Sequence, residues 1–275
     1  ANERCNRLGL DTISSSAAIA FAFEASERGL IGPELAGDLD LSWGNAETIL
    51  ALVDQIAAGE GLGRLLGQGV RAAAGALGGG SDAYATHVKG MEIPYHDPRA
   101  ETSMAANYAT GTRGACHLSS LTYAAMWGNK LEGLYLPDPY NQHSSAGKGR
   151  MAAEWQNFMT VLNAVGICKL VAKTYVDPGR VSSWIAAGFG WDIDGPELVR
   201  AGERIFNLQR LIDARLGVTM ADDVLPARLA AEARPDGGSA GVLPDMPLIM
   251  EEYYATRGWI DGMPAPPKLL ELGLA

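Results

Sequence analysis

A six-residue pattern occurs twice in this chain, as Asn6-x-x-Gly9-Leu10-Asp11 and Asn163-x-x-Gly166-Ile167-Cys168. Each copy stands where an irregular stretch runs into an apolar one, and two copies predict two halves that grip one ligand. Glycine lets a backbone approach a flat molecule closely and adopt positive φ, and an Asn three residues earlier can aim an acceptor at ligand N–H groups. The apolar residue that follows wedges the turn into a core. Runs that read as helices come next, Thr12 to Arg28 and Lys169 to Tyr175, and a helix N-terminus offers N–H groups and partial positive charge to an anion. The same residue types also serve ordinary ends, with Asp11 as an N-cap and Gly9 and Gly166 as loop glycines.

Helical signals dominate the rest, so the chain reads as mainly α. Ala17 to Phe23 with Leu30 forms one apolar segment, stopped by Gly29 and the Gly32-Pro33 pair. Asn45 caps a helix whose buried face is Ile49, Leu50, Leu52, Val53 and Ile56. Gly61-x-Gly63-x-x-x-Gly67 has the wrong spacing for a dinucleotide loop and no strand before it. The run Gly78-Gly79-Gly80-Ser81 breaks the helical pattern and divides two lobes, residues 1–80 and 81–275, each with one copy of the motif. A less regular region follows to about residue 115, and loops of this sort carry function when a rigid scaffold holds them. Helices are expected over Met151 to Leu162, Ser182 to Ala187 and Asp194 to Leu216, the last with Pro196 just inside and Ile205, Leu208, Leu211 and Ile212 on its apolar face. Residues 226–246 wander over the surface, and a final helix from Pro247 to Arg257 stops at Gly258.

A net charge of −10 excludes a nucleic-acid partner, which demands clustered Lys and Arg. With 275 residues and 47% hydrophobic content the chain can bury a sizeable core, and no apolar run is long enough to span a membrane. The three cysteines, Cys5, Cys116 and Cys168, form neither a disulfide framework nor a CxxC pair, which points to a reducing cytoplasm.

Further segments carry a resemblance. The two motifs are similar to the paired pterin-binding signatures of the tungsten-containing aldehyde ferredoxin oxidoreductase family. So are Lys89-Gly-Met-Glu-Ile-Pro94 with Asp97-Pro98-Arg99, Tyr108-Ala-Thr-Gly-Thr-Arg113-Gly-Ala-Cys-His117, Gly202-Glu-Arg-Ile-Phe-Asn207-Leu, and Glu252-Tyr-Tyr-Ala-Thr-Arg257-Gly-Trp with the closing Leu-Glu-Leu-Gly-Leu274. The likeness runs from the first residues to the last. It implies the multihelical C-terminal domains of that family, without its β-rich N-terminal domain and without the upstream C-x2-C-x3-C run that supplies most cluster ligands. The missing domain, or a separate subunit carrying it, is therefore an expected partner.

By the same resemblance, a bis-pterin carrying tungsten or molybdenum is held by Asn6, Gly9, Leu10 and Asp11 from one turn and Asn163, Gly166, Ile167 and Cys168 from the other. Arg113 and Lys169 either contact pterin phosphates or the surroundings of the cluster, or stand as surface cations. Cys168 doubles as the one [4Fe-4S] ligand in this chain, whereas such a cluster takes four thiolates, so the isolated chain is expected to be inert. His117 is the expected catalytic group, because aldehyde oxidation releases protons and a group titrating near neutrality is useful there. His87, His96 and His143 are read as structural. The implied reaction converts a small aldehyde to a carboxylate, passes electrons to ferredoxin and leaves room for a homo-oligomer.

One departure stands inside the motifs. The family carries Asp at the first position of both, where a carboxylate accepts a pair of N–H bonds; Asn offers one neutral acceptor. That difference, with the absent cysteine run, favours the alternative of a non-catalytic helical scaffold of the same family; a member acting on another substrate, such as an aromatic thioester, is a separate alternative. A stand-alone metal site from Cys5, Cys116, His117 and Cys168 lacks metal-motif spacing.

Overall fold

The computed structural model describes residues 1–275, which divide into two compact units: Ala1–Tyr95 with Pro226–Arg228, and His96–Leu225 with Leu229–Ala275. Both are helical, and the only sheets are two short antiparallel hairpins.

The first unit is built from α1 (Asn2–Leu8), α2 (Thr12–Glu27), α3 (Pro33–Ala36), α4 (Ala46–Ala58), α5 (Gly61–Leu66), α6 (Val70–Leu77) and a hairpin of β1 (His87–Val88) and β2 (Met91–Glu92). Its caps follow from the sequence: Asp11 accepts the Ser14 N–H at 2.7 Å to start α2, and Asn45 accepts that of Thr48 at 3.2 Å to start α4. Helix α2 buries Ala18, Ile19, Phe21, Ala22, Phe23 and Ala25 and is the centre of an aliphatic and aromatic core shared with Leu52, Leu62 and Val70. At one edge Arg228 and Arg28 both bind the Glu24 carboxylate, and Arg228 beside it holds that carboxyl below its usual range even though partial burial opposes the shift.

The units separate after Tyr95, beyond the Gly78-Gly79-Gly80-Ser81 run where the sequence suggests a division. The hairpin is the reason: β2 packs on α2, and the buried Glu92 carboxylate accepts the Val70 N–H at the start of α6 at 2.8 Å. The glycines form a turn within the unit.

The second unit holds α7 (Ser103–Thr110), a 3-10 helix at Thr122–Trp127, α8 (Lys148–Ala164), a 3-10 helix at Lys169–Thr174, α9 (Pro178–Phe189) and α10 (Gly195–Arg215). After α11 (Ala227–Ala231) come α12 (Met246–Arg257), the hairpin of β3 (Trp259–Ile260) and β4 (Met263–Pro264), and α13 (Pro266–Leu272). Helix α8 is the axis, packed by α7, α10 and α12. Close approach requires glycine there, since a Cβ on Gly202 of α10 would lie 2.0 Å from the Asn157 carbonyl oxygen and one on Gly149 of α8 would lie 2.1 Å from that of Ile249. A helix buried on several sides needs its polar groups satisfied internally. Arg257 of α12 meets that need, donating to Asn157, to the Ala153 carbonyl at 3.0 Å and to Gln156 Oε1 at 2.9 Å.

Lys148, at the start of α8, is fully buried and pairs with Glu101 at 2.5 Å. Tyr140 and Ser103 donate to the same carboxylate. Burial pulls the Lys148 ammonium below its usual range and Glu101 opposes that shift. Removing one partner would leave a buried charge uncompensated, a loss of roughly 3–5 kcal/mol.

Candidate functional site

The two motifs prove to be one piece of backbone used twice. Asn6 lies in the last turn of α1 and Asn163 in the last turn of α8, so each motif begins inside a helix, where the sequence suggests an irregular stretch. Gly9 and Gly166 then turn left-handed, with φ of 72° and 73°, ending the helix as glycine does most cheaply. The next apolar residue reaches back, Leu10 N–H to the Cys5 carbonyl at 2.9 Å and Ile167 N–H to that of Leu162 at 2.9 Å. The sixth residue stands at the start of the following helix, Asp11 before α2 and Cys168 before the 3-10 helix Lys169–Thr174.

Their surroundings differ. Leu10 and Asp11 line a cavity of about 320 Å³ in the first unit, together with Ser14, Ser15 and Glu92. Asp11 is occupied as a cap, its side chain on Ser14 N–H and its carbonyl on Ser15 N–H at 3.0 Å. Asn6 and Gly9 are exposed beside it.

The second motif opens on a cavity of about 400 Å³ in the second unit, where Asn163, Ile167, Cys168 and Lys169 meet Arg113 and Cys116. The chain brings Arg113 there through the loop after α7, which Asn107 pins by donating to the Cys116 carbonyl at 3.0 Å. Lys169 donates to the Leu118 carbonyl at 2.9 Å, tying the 3-10 helix to the same loop. Burial lowers its ammonium pKa and Arg113 adds to the shift, against the opposing influence of Cys116. Gly166 is exposed at the turn, and Cys168 presents an exposed thiol. Five of the residues expected to hold the cofactor, Arg113, Asn163, Ile167, Cys168 and Lys169, thus line one cavity.

His117 is not among the groups lining that cavity. It belongs to an aromatic stack in the same unit. His96 lies 5.1 Å from it between ring centroids and 4.0 Å from Tyr123, nearly parallel to the latter at 17°. Trp127 meets Tyr123 edge-on at 5.6 Å, and the Lys173 ammonium sits 4.8 Å from the Tyr123 ring and 4.6 Å from the Trp127 ring. Burial, with the nearby His96, Lys173, Arg113 and Lys169, pushes the His117 pKa down to about 4. The imidazole is therefore neutral at pH 7, which corrects the expectation of a group titrating near neutrality. It can accept a proton or orient a water; it is not a resting imidazolium. Burial and Lys173 lower His96 in the same direction. His96, read from the sequence as structural, and Lys173, not singled out there, stand beside His117 only through packing, for which a lone histidine and a lone lysine carry no local signal.

Cys5 is buried in the core of the first unit, and no three His, Cys, Asp or Glu side chains converge in a metal-holding group. A self-contained metal site on Cys5, Cys116, His117 and Cys168 is thereby set aside.

The family model for aldehyde ferredoxin oxidoreductase, domains 2 and 3, matches residues 1–274. The chain belongs to the aldehyde ferredoxin oxidoreductase family. It is 33% identical to the tungsten-containing aldehyde ferredoxin oxidoreductase of Pyrococcus furiosus, a match covering 100% of this chain and 45% of that protein. It is 28% identical to the WOR-like subunit of an aliphatic sulfonate oxidoreductase from the same organism, covering 98% of this chain and 41% of the relative. The chain thus spans less than half the length of the curated relatives it matches. Among solved structures it shares its fold with a chain of the active site complex BamBC of benzoyl coenzyme A reductase in complex with 1,5-dienoyl-CoA, at a TM-score of 0.70 and 23% identity, covering 96% of this chain and 44% of that one. No helix is long and apolar enough to cross a membrane.

Proposed function

We propose that this chain forms the pterin-binding and cluster-proximal part of a tungsten-bispterin, iron-sulfur oxidoreductase that oxidises an aldehyde to a carboxylate, with ferredoxin taking the electrons. The observation that carries the reading is the convergence of Asn163, Cys168, Lys169 and Arg113 on one cavity at the second motif, with the same turn repeated at Asn6–Asp11.

The donor set fits the proposed group in part. Arg113 and Lys169 have no carboxylate partner in an acidic chain, which suits the phosphates of a pterin, and each Asn offers an amide oxygen to its N–H edge. The exposed Cys168 thiol supplies one cluster ligand, and three further thiolates come from outside this chain. When bound, the metal-pterin group would accept the two electrons given up as the aldehyde gains an oxygen from water.

The chain's own residues have separable tasks. Neutral His117 accepts a hydrogen bond from water or takes up a proton released in the reaction, and the cations near it favour passing that proton on rather than holding it. His96 and Tyr123 fix its ring by stacking. Lys169, anchored to the Leu118 carbonyl, keeps its charge at the cavity wall next to Cys168.

The test is the full-length protein, produced with tungstate and assayed for tungsten, iron and aldehyde-dependent dye reduction. Stoichiometric metals with aldehyde oxidation support the reading. Absence of all three refutes it and leaves the helical scaffold that the paired Asn residues favour. Metals without aldehyde turnover, but with reduction of an aromatic thioester, would move the substrate within the family.

A further inference from the structure

Asn163 lines the cavity at the second motif, whereas Asn6 is exposed and stands outside the lining of the cavity at the first. An acceptor facing the first cavity therefore has to come from elsewhere. Asp11 faces it, but its side chain is already given to the Ser14 N–H. Glu92, which neither copy of the motif contains, faces it from strand β2. Glu92 is 4% exposed, its Oε1 accepts the Val70 N–H at 2.8 Å, and no group of this chain donates to its Oε2. A carboxylate withdrawn from water with one neutral donor is costly unless a ligand completes its hydrogen bonding. No Lys or Arg lines this cavity. Arg71 acts on His87 from nearby, as Glu92 does, but it forms no ion pair with Glu92.

The rest of the wall suits a flat molecule. Gly67, Gly69 and Gly90 present backbone rather than side chains, and a Cβ on Gly69 would stand 2.9 Å from Glu92 Oε1. The volume of about 320 Å³ lies at the lower end of small-molecule sites, roughly 300–1,000 Å³.

We infer that Glu92 is the charged acceptor for the N–H edge of the pterin at the first turn, a part that a neutral, exposed Asn6 cannot fill. The inference rests on the functional reading above and adds to it a binding residue from outside both motifs. A charge-assisted hydrogen bond is about twice as strong as a neutral one, and the difference is worth about tenfold in affinity.

The experiment titrates cofactor-free full-length protein with pterin and, separately, with lumazine, in which an oxygen replaces the 2-amino group. Binding is read from hydrogen-exchange protection of residues 10–18 and 67–74, which border this cavity and not the one at the second motif. Pterin is expected to bind about tenfold more tightly than lumazine. Glu92→Gln keeps an amide oxygen for the Val70 N–H, so its melting temperature should be unchanged while the preference falls to near one. A preference near one in the unmodified protein, no protection of these segments, or an undiminished preference in Glu92→Gln overturns the inference. If Glu92→Gln does not fold, Glu92→Asp, shorter by one methylene, is read in the same way. Tungsten content and aldehyde turnover of the cofactor-loaded protein are measured separately. Their absence refutes the functional reading, and the pterin titration still decides the role of Glu92.

Discussion

The turn at Asn6–Asp11 and the turn at Asn163–Cys168 share a backbone but not a neighbourhood. The first ends in an acid that caps the following α-helix and faces a cavity bordered by Glu92. The second ends in a thiol before a six-residue 3-10 helix and faces Arg113 and Lys169. The same backbone turn thus stands in two different electrostatic surroundings, one acidic and one cationic. Cationic surroundings favour an anionic group at the second turn, and acidic surroundings favour N–H donors at the first.

Substitutions can break this contrast. The largest effect is expected at the sixth position: Cys168→Ser in the full-length protein should abolish aldehyde turnover and lower iron content, measured by metal analysis. Asp11→Ala should keep the iron and cost about 1 kcal/mol of thermal stability, as a lost N-cap does. Iron loss from Asp11→Ala as well would erase the distinction between the turns. His117→Ala should reduce turnover by roughly two orders of magnitude with tungsten retained, the scale of a positioned acid or base. Unchanged turnover would remove it from the chemistry.

The shared geometry has its own test. Gly9→Ala and Gly166→Ala place a Cβ in open space but at positive φ, so each should cost about 1 kcal/mol by melting, and the two losses should match. Unequal losses would show that the turns are not equivalent. The smallest effect concerns protons. His117 titrates near pH 4 when folded and near 6.5 in an unfolded chain, so the unfolded state binds more protons between those values. Stability should thus be full above about pH 6.5, fall as pH drops toward 4, and an imidazole NMR titration should place the midpoint near the lower value.

Much of the helical frame was legible in the residues. Asp194 and Pro196 announce α10, Asn45 announces α4 and Asp11 announces α2, because caps and first-turn prolines are local chemistry. Helix α1 escaped notice since it buries only Cys5 and has no apolar stripe. Helix α7 escaped for the opposite reason: every residue from Ser103 to Thr110 is buried, so no face is distinguished. The segment 226–246 is largely irregular as expected, apart from α11. At the site, motif spacing singled out Gly166 and Cys168, but the meeting of Arg113 with Asn163 is long-range packing. The stacking of His96 on Tyr123 is equally invisible in one dimension.

Helix α8 joins two jobs that proteins often separate. One end is locked by the buried Lys148–Glu101 pair, the middle is gripped by the close approach of Gly202 and by Arg257, which donates to Gln156, and the other end delivers Asn163 to the cavity. Such a strut, about 25 Å long at 1.5 Å per residue, has little slack. The helical wall of the cavity is accordingly a fixed datum, against which the loop after α7 and the 3-10 segment that carries Lys169 are set.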